Sequence, residues 1–229
     1  MTATLAAVDA AARAALAERT ETLFRESGAL REGHFLLKSG RHGDRYLEKF
    51  QVLQDPEAVG ELCRAMAAFG RDASGAAAVD VVVGPTTGGV ILAFETARQL
   101  GVRGFFAEEV QGGPGAAGGP GRREFRRGFR IEPGARVLLV DDVLTTGGSL
   151  AGMLPPIEAA GGELLRAVVL VDRSGGTSEV ASAGTGRRYP VEALWSLDLP
   201  TYAPGPATCP LCAAGLPLEA PGSGGAAAG

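Results

Sequence analysis

Two adjacent carboxylates, Asp141 and Asp142, are followed closely by Thr145, Thr146, Gly147, Gly148 and Ser149. Consecutive glycines let a backbone curl tightly, so that several N–H groups converge on one point. The three hydroxyls add donors, and the helix expected from Ser149 onward adds the positive end of its dipole. That combination is a cradle for an anion, most simply a phosphate monoester. The two acids would repel a phosphate, so vicinal hydroxyls are their natural partners and the ligand reads as a sugar phosphate. The pattern is neither the Gly-Lys-Ser/Thr phosphate loop nor the Gly-x-Gly-x-x-Gly turn of dinucleotide folds.

A second stretch repeats the design. Val79 to Val83 reads as a strand, Gly84-Pro85-Thr86-Thr87-Gly88-Gly89 as a turn, and Val90 to Leu100 as a helix. Thr86 and Thr87 offer hydroxyls where a pyrophosphate could bind. Two such cradles on one sheet edge fit a ligand with phosphates at both ends.

The elements that must position these residues follow from periodicity. Val137-Leu138-Leu139-Val140 is apolar without alternation, as in a parallel strand buried on both faces, so Asp141 and Asp142 fall at its carboxyl end. Leu164–Val171, Val191–Leu197 and the short Phe105–Ala107 read as further strands. Helices are expected over about 3–27, from Asp55-Pro56 through Phe69, and over 149–160, where Pro155-Pro156 should kink or restart the last of them. Residues 33–49 read as a hairpin carrying Lys38, Arg41, Arg45 and Lys49, and Phe125–Ile131 reads as another. Between them, 108–123 is a long loop with six glycines and two prolines over 112–121, a pattern expected of a lid.

Composition sets bounds. The chain has 229 residues and a net charge of −4, with a pI near 5.3, so no global basic field argues for nucleic acid. No apolar run reaches the ~20 residues of a membrane span, and no signal-peptide pattern is visible. A cytoplasmic protein with no membrane partner is the expectation. The three cysteines do not make a disulfide framework. Cys63 falls on an apolar helix face and reads as a packed thiol. Cys209-Pro-Leu-Cys212 is half of a four-thiolate zinc site, which without a nearby histidine would need two chains, so an incidental or redox-labile pair is expected. His34 and His42 lack metal-ligand spacing and read as surface histidines. The expected division is a domain over 1–205 and a tail over 206–229 ending in Gly/Ala/Ser.

VLLVDDVLTTGGS resembles the ribose-phosphate-binding signature of type I phosphoribosyltransferases, which bind phosphoribosyl pyrophosphate (PRPP). GHFLLKSGRH is similar to the N-terminal hairpin of the orotate phosphoribosyltransferases, and VDRSGG to their orotate-binding segment. The resemblance implies an α/β type I phosphoribosyltransferase-like fold: a mostly parallel central sheet flanked by helices, an N-terminal hairpin or hood, and a flexible lid. It implies transfer of phosphoribosyl from PRPP to orotate with Mg²⁺ carried mainly by substrate, in a homodimer. It also implies roles: Asp141 and Asp142 on the ribose hydroxyls, Val143 to Ser149 (including Leu144) around the 5′-phosphate, Thr86 to Gly89 on pyrophosphate, Lys38 on a ligand anion, and Thr145 and Arg173 on orotate. Two departures stand out. Gly43-Asp44 replaces the family's Ser-Pro, and the lid opens with Glu108-Glu109-Val110-Gln111 where the family has basic residues. The cationic role would then pass to Arg122, Arg123, Arg126 or Arg127. The alternatives are a weakly catalytic regulator that binds PRPP or nucleotide, and a phosphoribosyltransferase for uracil or a purine.

Overall fold

The computed structural model describes residues 5–37, 39–110 and 121–221. Helix α1 (Ala10–Glu26) leads into a hairpin of β1 (Leu30–Leu36) and β2 (His42–Leu47). Short α2 (Lys49–Leu53) and α3 (Pro56–Ala68) follow, then β3 (Val81–Pro85), α4 (Gly88–Leu100), β4 (Arg103–Glu109) and β5 (Arg123–Glu124). The central strand β6 (Arg136–Leu144) precedes α5 (Gly148–Ala159), β7 (Glu163–Asp172), β8 (Glu179–Ala181) and β9 (Arg188–Ser196). The described chain closes with β10 (Thr201–Tyr202), the single turn α6 (Pro210–Ala213) and β11 (Leu218–Glu219).

Two sheets result. The larger has the order β5-β4-β3-β6-β7-β9-β8, parallel from β4 through β9 with an antiparallel strand at each edge. The smaller, β10-β2-β1-β11, forms the hood. The unbroken apolar runs of β3 and β6 have a simple cause. Leu138 and Val140 point into a core with α1, α3 and α4, whereas Val137 and Leu139 point into a second core with Met153, Leu154 and Ile157 of α5. Both faces are dry, so neither needs polar alternation.

Chain order reverses between β3 and β6: β4 lies beyond β3 on one side and β7 beyond β6 on the other. Such a switch point opens a crevice at the carboxyl ends of the two strands. Both glycine-rich turns start there.

Several expectations change. Helix α1 begins only at Ala10, because Asp9 caps it by accepting from the Ala12 amide at 2.8 Å. Pro155 and Pro156 lie within α5 without ending or restarting it, since the buried Met153, Leu154 and Ile157 hold that face against the sheet. The hairpin expected over 125–131 is absent. Strand β4 instead runs on through Glu108 and Glu109 and pairs with Arg123 and Glu124. Phe125 and Phe129 leave the ladder to pack on Phe105, with ring centroids 5.4 and 5.2 Å away. The segment expected to form a lid is flanked by this short two-stranded pairing, and its residues 111–120 lie outside the described residues, as do 222–229 of the expected Gly/Ala/Ser end. Among the described residues, no helix is long and apolar enough to cross a membrane.

Candidate active site

Strand β6 delivers Asp141 and Asp142 to the crevice, both more than nine-tenths buried. The Asp142 amide donates to Asp141 Oδ1 at 2.9 Å, and the Ser149 hydroxyl also serves the Asp141 carboxylate. Burial, and then the charge of Asp142, push the Asp141 carboxyl up to about 6. Lys49, the first residue of α2, places Nζ 2.6 Å from Asp142 Oδ2, an oxygen with no hydrogen-bond partner besides this ion pair. The acid pair is therefore buttressed by a cation from the hood side. Lys49 had appeared only as one of four basic residues in the hairpin. Its role depends on the start of α2 reaching the carboxyl end of β6, which no local pattern reveals.

Beyond the acids, Gly147 adopts φ +77° and turns the chain into α5. Thr145 and Thr146 are exposed above that amino end, while Gly147, Gly148 and Ser149 are half-buried. Val143 and Leu144 contribute main chain only: their side chains pack into the two cores. The Leu144 carbonyl accepts from the Arg173 amide at 2.8 Å.

The Thr86–Gly89 turn crosses very close to this site. A Cβ on Gly88 would sit 1.8 Å from Asp142 Oδ2, and one on Gly84 would sit 2.4 Å from the Gly89 carbonyl oxygen. Only glycine lets the second turn and the helix behind it approach the acids so closely. The Thr86–Thr87 peptide is cis, Thr86 donates its amide to Ala107 O at 3.1 Å, and Thr87 is exposed.

Strand β5 supplies one cation beside both turns. Arg123 Nη1 lies 3.3 Å from Thr86 O and 3.4 Å from its Oγ1. The same arginine lines a cleft of about 510 Å³ with Thr146, Gly147, Gly148 and Ser149. Of the four candidate arginines, Arg122 and Arg126 pair with Glu124, and Arg127 pairs with Glu108. Among the described residues, Arg123 pairs with no carboxylate. The acids that looked misplaced at the start of the lid are therefore partly neutralised, and one guanidinium is left for an anion.

At the end of β7, Arg173 is about half-buried and its Nε has no partner among the described residues. Burial pulls its guanidinium below the ordinary value, with Tyr46 of the hood acting the other way. A partly desolvated, unpaired fork of this kind is suited to a bidentate carboxylate. Lys38 lies outside the described residues. Arg41 and Arg45 turn away: Arg41 bonds Thr201 Oγ1 and O, each at 2.7 Å, and Arg45 bonds Asp198 O at 2.8 Å. They fasten the hood to the segment after β9.

Two further expectations are overturned nearby. His34 and His42 are buried, not on the surface, and Cys209 and Cys212 do have histidines beside them.

The hard oxygen donors of the crevice are Asp141 and Asp142, and Lys49 already occupies one oxygen of the latter. That donor set fits Mg²⁺ held through water and substrate oxygens, with these carboxylates as outer partners.

Strand-end acids lie beside two glycine-rich turns, and the chain belongs to the phosphoribosyl transferase domain family, whose model matches residues 51–187. Curated relatives narrow the class. An orotate phosphoribosyltransferase of Pelotomaculum thermopropionicum is 44% identical over 202 residues, covering 88% of this chain and 94% of the relative. One of Caldicellulosiruptor saccharolyticus is 41% identical over 201 residues, with the same coverages. Within the family, the chain is thus one of the orotate phosphoribosyltransferases. Among solved structures, the orotate phosphoribosyltransferase of Aeropyrum pernix matches with a TM-score of 0.55 at 25% identity, covering 77% of this chain and 92% of that one. The adenine phosphoribosyltransferase of Leishmania tarentolae reaches the same TM-score at 20% identity, covering 77% and 87%. The fold alone is therefore shared by enzymes for different bases.

Proposed function

We propose that the protein transfers the phosphoribosyl group of PRPP to orotate, giving orotidine 5′-monophosphate and pyrophosphate. A ring nitrogen of orotate attacks the anomeric carbon as the bond from that carbon to the pyrophosphate oxygen breaks, and the proton of that nitrogen passes to the departing pyrophosphate or to solvent. Positive charge builds on the ribose ring in between. Asp141 and Asp142 hold the 2′- and 3′-hydroxyls and offset that charge. Main-chain amides and hydroxyls from Thr145 to Ser149 hold the 5′-phosphate. Thr86 to Gly89, with Arg123, take the departing pyrophosphate. Arg173 pairs with the orotate carboxylate, Thr145 borders the same base, and Lys38 supplies a further cation. Magnesium, when bound to PRPP, neutralises pyrophosphate charge. No side chain needs to act as a nucleophile, because positioning and charge stabilisation suffice.

The observation that carries this reading is the Gly88–Asp142 approach, which brings the second glycine-rich turn directly against the strand-end acids. The named activity of the curated relatives supports orotate as the base. An apolar groove of about 860 Å³, lined by Ile91, Phe94, Phe106 and Phe129 among others, supports a homodimer. Phe94 is 66% exposed at its edge. Orotate consumption followed by ultraviolet absorbance with PRPP and Mg²⁺, against uracil and hypoxanthine, tests the reading. Turnover with orotate alone is expected. Saturable PRPP binding without turnover would favour a regulator, and turnover with uracil or hypoxanthine would reassign the base.

A further inference from the structure

The tip of the hood gathers four soft donors from distant parts of the chain. His34 lies in β1, His42 in β2, Cys209 just before α6 and Cys212 within it. Their ligand atoms all lie within 4.8 Å of one another. Cys209 Sγ and Cys212 Sγ each lie 3.7 Å from His34 Nε2, and Cys212 Sγ lies 3.3 Å from His42 Nδ1. The two imidazole nitrogens are 2.7 Å apart.

We propose that these four residues bind one zinc ion, in a structural site of the two-cysteine, two-histidine type separate from the active site. Tetrahedral zinc, with its usual bonds to sulfur and nitrogen, sets donor–donor spacings of about 3.3–3.8 Å. Three of these four separations fall in that range, and the imidazoles have only to part by roughly 0.6 Å to admit the ion. Orientation is also prepared. His34 Nδ1 lies 2.9 Å from the Leu216 carbonyl oxygen, so Nδ1–H donates there and the Nε2 lone pair faces the sulfurs, the outer-shell arrangement typical of metal-bound histidine.

Charge and burial agree. Binding releases one proton from each thiol, and two thiolates, two neutral imidazoles and Zn²⁺ sum to zero. A neutral centre suits this place, where His34, His42 and Cys209 are all at least 95% buried. Mixed sulfur and nitrogen donors in a tetrahedron select zinc over magnesium or calcium. The sequence reading missed the site because a lone Cys-x-x-Cys shows half a ligand set. The other half stands 175 positions from Cys209, at His34.

The site fixes three segments at once. Strand β11 pairs with β1, with His34 opposite Leu218, and β10 pairs with β2, with His42 opposite Tyr202. Zinc would clamp the end of the described chain onto both strands that bracket the hood tip.

The test is metal analysis of the full-length protein purified without chelator or added metal, together with cobalt(II) loading of the chelator-stripped wild type. The expected result is about one zinc per chain, and on cobalt loading the visible bands of a tetrahedral site with thiolate charge transfer. Cys209→Ser and Cys212→Ser should each lower bound zinc at least fivefold, whereas Cys63→Ala should retain it. Cobalt loading needs no variant, so a misfolded serine variant leaves the proposal testable. Three results would overturn it: metal-free protein with no thiolate–cobalt bands, a Cys209–Cys212 disulfide in protein kept under cytosol-like reducing conditions, or zinc retained in full by both serine variants.

Discussion

Replacing Gly88 by alanine should disable the site through a single methyl group. A Cβ there would meet Asp142 Oδ2 at 1.8 Å and Asp142 Cγ at 2.8 Å, so the carboxylate or the start of α4 has to move by more than an ångström. The carboxylate cannot yield freely, because Asp142 is buried in the central strand and tethered to Lys49. Overpacking of this kind costs about 1–3 kcal/mol, which for a domain of this size lowers Tm by roughly 2–12 °C. A displacement of about 1 Å at a charge-stabilising group costs on the order of 100-fold in rate, so kcat/KM for orotate should fall by about that factor. Differential scanning calorimetry and the orotate absorbance assay read both quantities. A double substitution isolates the cause: adding Asp142→Ala removes the clashing oxygens, so Gly88→Ala/Asp142→Ala should regain most of the Tm lost to Gly88→Ala while staying inactive. Gly88→Ala with kcat/KM within about threefold of wild type, or stability losses that simply add in the double variant, would refute the reasoning.

Asp141 predicts a pH-dependent stability. Its carboxyl is raised from the ordinary 3.8 to about 6, so the folded state holds the proton more tightly than the unfolded one. The ligand-free protein therefore loses stability as pH rises from about 4 to 6, by about 2–3 kcal/mol at most. Asp141→Asn should melt higher than wild type at pH 7.5, with the gap closing toward pH 4; a gap that is constant with pH would contradict this. Arg123→Ala should lower kcat/KM roughly 10- to 100-fold, as expected for losing a charge-assisted contact to an anion. Arg122→Ala, which removes only an exposed pair with Glu124, should stay within about twofold, and equal effects would remove Arg123's special role. Phe94→Glu should leave the fold intact and give a monomer by light scattering after gel filtration; an unchanged mass would place the dimer interface elsewhere.

The central machinery was legible because it is local. A run such as Val137–Val140 can only be a strand dry on both faces, and its acids and glycines follow in unbroken order. What could not be read was long-range closure. Lys49 looked like one charge in a basic hairpin, and only the tertiary fold sets it on Asp142. Glu108 and Glu109 read as the start of a loop, because their backbone pairing with Glu124 and Arg123 spans the residues between. Pro155 and Pro156 signalled a break by local rules, yet the buried face of α5 outweighed them. The histidines of the hood carried no signal, since their partners stand more than 165 positions away in the sequence.

The pairing of β11 with β1 also sets an order of events in time. Strand β1 is made early, but its outer edge stays open until Leu218 and Glu219 exist to cover it. At about 5–20 residues per second, that leaves a newly made hood with a bare row of hydrogen-bonding groups for roughly ten seconds or longer. An open edge of this kind invites pairing with other chains. The charged strand sequence Leu30-Arg-Glu-Gly-His is therefore a safeguard for the nascent chain as much as a feature of the finished enzyme.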